Sequence, residues 1–181
     1  MSATDATPCS IAWVVLQHQE LRQRPENRDQ IHAEITDRQD VSYNELRAIV
    51  VLAKHVQDIW KEKKVRLFLA TDSQIADTVL TKGYSKSEDL DKLVYELQQQ
   101  RGKIRVHTTW VPTEENVADT PSREILNREC RICLRRENAH PSSCTEPLWA
   151  EIDPGRIELD PQRKERTEEA LYDAHRWILQ A

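Results

Sequence analysis

The sequence predicts an α/β domain, a mixed sheet with helices packed on it, followed by a C-terminal extension. Three observations point there. Apolar β-branched runs alternate with segments of helical periodicity in the order β-β-α-β-α-α-β-α. The two early strands are joined by a polar turn, which suits an antiparallel pair, whereas helices separate the later strands and imply parallel crossovers. After residue 125 the composition shifts: three of the four cysteines fall there, followed by Pro141, Pro147, Pro154 and Pro161.

Ile11 to Leu16 is apolar and rich in β-branched residues, and reads as a strand. Gln17 to Asp29 is polar, with Pro25 and Asn27, and reads as a turn. Ile31, Ala33 and Ile35 alternate with polar residues, the period of a half-buried strand. Asp37 to Val41 reads as a short loop. Ser42-Tyr43-Asn44-Glu45 fits a capping box. Behind it Leu46, Ile49, Val50, Ala53, Val56, Ile59 and Trp60 recur at helical spacing, and Lys61, Lys63 and Lys64 suit the C-terminus of that helix.

Val65 to Ala70 is almost wholly apolar, as in a central strand covered on both faces. Ser73 to Lys82 reads as a short helix stopped by Gly83. Leu90, Leu93, Val94 and Leu97 mark another helix that ends before Gly102. Ile104 to Val111 is a strand closed by Pro112. A last helix is predicted from about Arg163, with Leu171, Ala174, Trp177 and Ile178 on one face. It would dock on the domain or bind a partner.

With 181 residues the chain is long enough for one domain with a core and a modest extension. Its charged fraction of 31% fits a soluble protein, and no apolar run approaches the ~20 residues of a membrane span. No secretion signal is expected from the first residues. Four cysteines without a leader suggest a reducing, intracellular compartment. The net charge of −5 is awkward for a nucleic-acid binder. Residues 1–125, however, hold 17 Lys/Arg and 20 Asp/Glu, so four clustered carboxylates account for the acidity of that region. Lys61, Lys63 and Lys64, and Arg101, Lys103 and Arg105, are local basic clusters, equally readable as solvated element ends.

Those four carboxylates are Asp5, Glu45, Asp72 and Asp119. Asp5 precedes the first apolar run, Glu45 opens a helix, Asp72 follows the central strand, and Asp119 closes Asn116-Val117-Ala118-Asp119. Each alone reads as a cap, loop or terminal residue. Jointly, strand ends and a helix start aim carboxylates at one point. A phosphodiester cut can use two divalent ions roughly 4 Å apart, and Mg²⁺ takes oxygen ligands while keeping several waters.

Asp5-Ala6-Thr7-Pro8, Glu45-Leu46-Arg47-Ala48 on a helix, Ala70-Thr71-Asp72-Ser73 and Asn116-Val117-Ala118-Asp119-Thr120-Pro121-Ser122-Arg123 together resemble the ribonuclease H domain of reverse-transcribing elements. The last run is the most specific piece. The likeness covers about residues 3–125 and looks most like retrotransposons and pararetroviruses, with the tyrosine-recombinase type as one candidate. It implies a ribonuclease H-like fold with a five-stranded sheet, a catalytic domain over residues 1–125 and an extension over 126–181. It implies hydrolysis of RNA paired to DNA, leaving a 3′-hydroxyl and a 5′-phosphate, with a reverse transcriptase domain of the same polyprotein as partner.

Carried over by position, Asp5, Glu45, Asp72 and Asp119 would bind two Mg²⁺ or Mn²⁺ ions. Asp5 would bridge them, Glu45 and Asp72 would hold the leaving-group side, and Asp119 the nucleophile side. Ser73, Gln74 and Asn116 would contact the nucleic acid. Selectivity for the RNA strand would require reading 2′-hydroxyls across a wide minor groove.

Two departures stand out. The loop Val111-Pro112-Thr113-Glu114-Glu115 lacks the histidine that members of the family often carry, which predicts slower turnover; His107 falls inside a strand and reads as structural. Only Met1-Ser2-Ala3-Thr4 precede Asp5, where the resemblance implies several apolar residues of a first strand; in a domain cut from a longer polyprotein that strand would be frayed and Asp5 poorly fixed.

Cys130-x₂-Cys133-x₆-His140-x₃-Cys144 is a candidate Zn²⁺ set of three thiolates and an imidazole. The competing reading is a helix whose inner face is Leu126, Cys130, Cys133 and Leu134, since free cysteine packs as a small hydrophobe. Cys9 reads as buried. Three alternatives to the ribonuclease stay open: a scaffold without chemistry on the same fold, a nucleic-acid-binding module centred on the cysteines, and a nuclease acting on DNA.

Overall fold

The computed structural model describes residues 1–16, 29–36, 38, 40–60, 63–100, 102–125 and 157–180, with side chains to residue 176. Its elements are β1 (Ser2–Ala6), β2 (Ser10–Val15), β3 (Gln30–Ile35), α1 (Val41–Ile59), β4 (Val65–Thr71), α2 (Gln74–Lys82), α3 (Glu88–Gln99) and β5 (Ile104–Trp110). A 3₁₀ turn over Thr113–Glu115 follows, then a helix over 119–125, here α4, and finally α5 (Pro161–Gln180). One mixed sheet runs β3-β2-β1-β4-β5. β1-β2 and β2-β3 are antiparallel, and β1-β4 and β4-β5 are parallel.

Helices cover both faces of the sheet. Alternation along the strands divides the core, as a two-residue period requires. Trp13, Val15, Leu67 and Leu69 point to the side of α1, α2 and α3, where they meet Leu46, Ile49, Ala53, Val79, Leu93 and Leu97. Val14, Leu16 and Ala70 point to the other side, against Val111, Val117, Ala118 and Leu171 of α5. The final helix therefore docks on the sheet. Trp177 and Ile178, expected on its apolar face, lie beyond the described side chains. No helix among the described residues is long and apolar enough to cross a membrane.

Several expectations need correcting. β1 is not frayed. It pairs with β2 over Ser2–Ala6 and with β4 at Ser2 and Ala3, and all five of its residues are buried. Small side chains give no apolar signal, but they let helices approach a central strand from both faces. The capping box at Ser42 does not form. The helix starts two residues earlier than that box implies, at Val41, and Asp40 caps it by accepting the Tyr43 N–H at 3.1 Å. Glu45 therefore lies past the first turn. Ile59 and Trp60, assigned to the apolar face, are 46% and 38% exposed, at the point where α1 ends. Cys9 is half-buried.

Other expectations hold. Gly83 ends α2 with φ 77°; the helix begins at Gln74 rather than Ser73, which caps it through its Oγ. His107 stacks on Phe68 with ring centroids 5.3 Å apart, a packing role.

Candidate active site

β1 and β4 are parallel neighbours whose C-terminal ends lie on one side of the sheet. Ser2 pairs with Leu69 and Ala3 with Ala70. Continuing that register brings Asp5 level with Asp72. α1 crosses behind β1 and delivers Glu45, whose Oε1 accepts the Ala6 N–H at 3.2 Å. One carboxylate oxygen from each of Asp5, Glu45 and Asp72 lies within 4.8 Å of the other two.

Asp72 is held by its neighbours. Its carbonyl accepts the Trp110 indole N–H at 3.0 Å, and its Oδ1 accepts from Asn116 Nδ2 at 3.1 Å. The same Asn116 amide donates to the Thr4 carbonyl at 2.8 Å, and its Oδ1 accepts the Ala118 N–H at 3.1 Å. Asn116 is fully buried. It ties β1, the end of β4 and the Asp119 turn together, so the expected direct contact with nucleic acid does not fit its setting. Ser73 is half-buried and spends its Oγ on the α2 cap, while Gln74 is exposed beside the cluster.

The electrostatics are those of crowded carboxylates. Burial, and then the nearby Asp72 charge, push Asp5 up to about 7, opposed by the Ser122 hydroxyl that bonds to it. Burial, and then the charges of Asp5 and Asp72, push Glu45 up to about 9, opposed by the Ala6 N–H. Glu45 Oε2 is buried and has no hydrogen-bond partner among the described residues. A buried, unpartnered carboxylate oxygen beside two further carboxylates is costly without a cation. An all-oxygen donor set suits a hard divalent ion. The residues fit such a metal.

Asp119 is nearby but outside that cluster. Its Oδ1 accepts from Arg123 Nε at 2.6 Å and its Oδ2 from Arg163 Nη1 at 2.6 Å. The sequence signalled Arg123, four residues on along α4. It carried no signal for Arg163, which arrives on α5, nor for Ser10, whose hydroxyl donates to the Ser122 carbonyl at 2.9 Å. Cys130, Cys133, His140 and Cys144 lie outside the described residues, as do Lys61 and Arg101.

No family model and no curated protein matches the chain. Solved structures do. Ribonuclease H1 from the halophilic archaeon Halobacterium salinarum NRC-1 aligns at 18% identity and TM-score 0.54, over 70% of this chain and 96% of that one. The N-terminal ribonuclease H domain of a Mycobacterium tuberculosis protein, solved as a fusion with maltose-binding protein, aligns at 16% and 0.52, over 73% and 94%. LC11 ribonuclease H1 in complex with an RNA/DNA hybrid aligns at 13% and 0.55, over 71% and 97%. The chain has a ribonuclease H-like fold. At these identities the likeness is one of architecture. In this ribonuclease H-like chain the carboxylate cluster occupies the C-terminal ends of two adjacent parallel strands, a position where open α/β sheets place ligands.

Proposed function

We propose that the chain is a metal-dependent endoribonuclease that hydrolyses the RNA strand of RNA/DNA hybrids. The observation that carries this is the convergence of Asp5, Glu45 and Asp72 from three elements, with a buried Glu45 oxygen left unpartnered. A scaffold without chemistry would gain stability by replacing any of these side chains with a neutral one, since like charges at this range repel.

In this reading the three carboxylates hold a divalent ion, Mg²⁺ or Mn²⁺, and Asp119 completes a two-ion site. What bound cations supply is positive charge against the charge that develops on the phosphate oxygens. The protein's own work is placement. Asn116 and Trp110 fix Asp72, Ser122 and the β1 pairing fix Asp5, and the Ala6 N–H fixes Glu45. Exposed Gln74 and the rim at Ser73 are the candidate nucleic-acid contacts. The motif set further supports an origin in a reverse-transcribing element and work beside a reverse transcriptase domain of the same polyprotein.

The test is incubation of the full chain with a labelled RNA/DNA hybrid and Mg²⁺ or Mn²⁺, beside Asp72→Asn. RNA-strand cutting by the parent alone supports the reading. A folded parent that cuts with neither metal rejects it, and cutting of the DNA strand or of duplex DNA would reassign the substrate.

A further inference from the structure

α5 presents three side chains at helical i, i+4, i+8 spacing toward the Asp119 turn and the sheet behind it. Leu171 is fully buried against Val111, Val117 and Ala118. Thr167 is also fully buried; its Oγ1 accepts the Val117 N–H at 3.1 Å and donates to the Glu115 carbonyl at 2.5 Å. Arg163 then reaches Asp119 at 2.6 Å, with the same Nη1 3.4 Å from the Thr113 carbonyl. The guanidinium is thus presented by a docked helix.

The two arginines on Asp119 differ. Arg123 is 62% exposed and sits four residues away on the same helix, a water-screened pair. Arg163 is 26% exposed and Asp119 6%, so their contact is largely shielded from solvent. Both Asp119 oxygens are thus engaged by arginines, and Asp119 is not among the carboxylates whose oxygens lie within 4.8 Å of one another. A divalent ion at Asp119 would stand beside a guanidinium of the same sign.

We propose that Arg163 competes with a divalent ion for Asp119. The free chain then takes one ion in the Asp5–Glu45–Asp72 cluster, and a second binds tightly only when Arg163 is displaced. This inference rests on reading the cluster as a metal site.

The experiment is a calorimetric Mn²⁺ titration of the full chain, with electron paramagnetic resonance counting free Mn²⁺. The parent is expected to bind one ion tightly and a second weakly. Arg163→Gln should tighten the second by about tenfold or more, the scale for losing a close charge pair. Arg123→Gln should change it less. Arg163→Met keeps the aliphatic stem along α5 and serves the same purpose should the Gln variant not fold. Adding Asp119→Asn to Arg163→Gln should abolish the gain. A first ion bound normally with a second unmoved by Arg163→Gln and Arg163→Met overturns the inference alone. A gain that survives Asp119→Asn also overturns it. A parent and variants that bind no Mn²⁺ overturn both the inference and the metal reading beneath it.

Discussion

Asn116 and Asp72 are joined by a hydrogen bond of 3.1 Å from an amide that also holds the Thr4 carbonyl at 2.8 Å. One buried side chain thereby locks the carboxylate at the end of β4 to the backbone of β1, one residue before Asp5. The spacing between two metal-ligating candidates is set by a residue that binds no metal.

Asn116→Ala removes both donors and leaves the Thr4 carbonyl and the Ala118 N–H buried without partners. Each orphaned group costs about 1–3 kcal/mol. The denaturation midpoint should fall accordingly, and Mn²⁺ affinity should drop because Asp72 loses its tether. Ser73→Ala, which removes only the α2 cap, should cost about 1 kcal/mol. Equal effects of the two substitutions would reject the tethering role.

The metal-free protein should lose stability as pH rises. In the folded chain Asp5 and Glu45 keep their protons to about 7 and about 9, against 3.8 and 4.5 as ordinary values. The folded state therefore binds more protons than the unfolded one between these limits, and stability declines from about pH 4 toward about pH 9. Metal opposes this trend, since it binds the ionised carboxylates. Denaturation midpoints in EDTA should drop between pH 5 and pH 8.5, and the drop should shrink with Mn²⁺. A flat profile in EDTA would count against this charge balance.

Glu45→Gln separates stability from function. It keeps an acceptor for the Ala6 N–H and replaces a carboxyl that must take up a proton on folding with a neutral amide. At pH 8.5 without metal the variant should melt higher than the parent. Its gain in melting temperature on adding Mn²⁺ should vanish, and hybrid cleavage should fall by about 10²–10³-fold, the equivalent of several kcal/mol of lost charge stabilisation. A variant that melts lower in EDTA at pH 8.5 would show that the ionised Glu45 contributes to the fold.

What could be read from the sequence depended on how local each signal is. Val65 to Ala70 and the α1 face carry their own periodicity, so the sheet and its helices were legible. β1 was not: Ser2-Ala3-Thr4-Asp5-Ala6 has no large apolar residue, and only pairing with β2 and β4 makes it a strand. Asp40 and Ser42 are both good caps, so local chemistry left the start of α1 undecided. The resemblance puts Asn116 on the nucleic acid; its burial depends on Thr4 and Asp72, each far away in the chain, and no local signal announces it. Arg163 lies 44 residues beyond Asp119, and no pattern links the two before the helix docks.

Docking of α5 gives the last prediction. Leu171 is fully buried in the cluster formed with Ala3, Val14, Ala70, Val111 and Val117. If α5 folds cooperatively with the sheet, Leu171→Ala leaves a cavity at that interface and costs about 2–5 kcal/mol of global stability. If α5 were an independent appendage, the same change would leave the main unfolding transition where it is. Hydrogen exchange separates the two outcomes. In the cooperative case the amides of α5 and of β4 exchange with the same protection in the parent, and both lose it together in Leu171→Ala. In the appendage case α5 exchanges early in both proteins and β4 is unaffected. The cooperative outcome would mean that the helix carrying Arg163 is part of the folding unit that builds the carboxylate site.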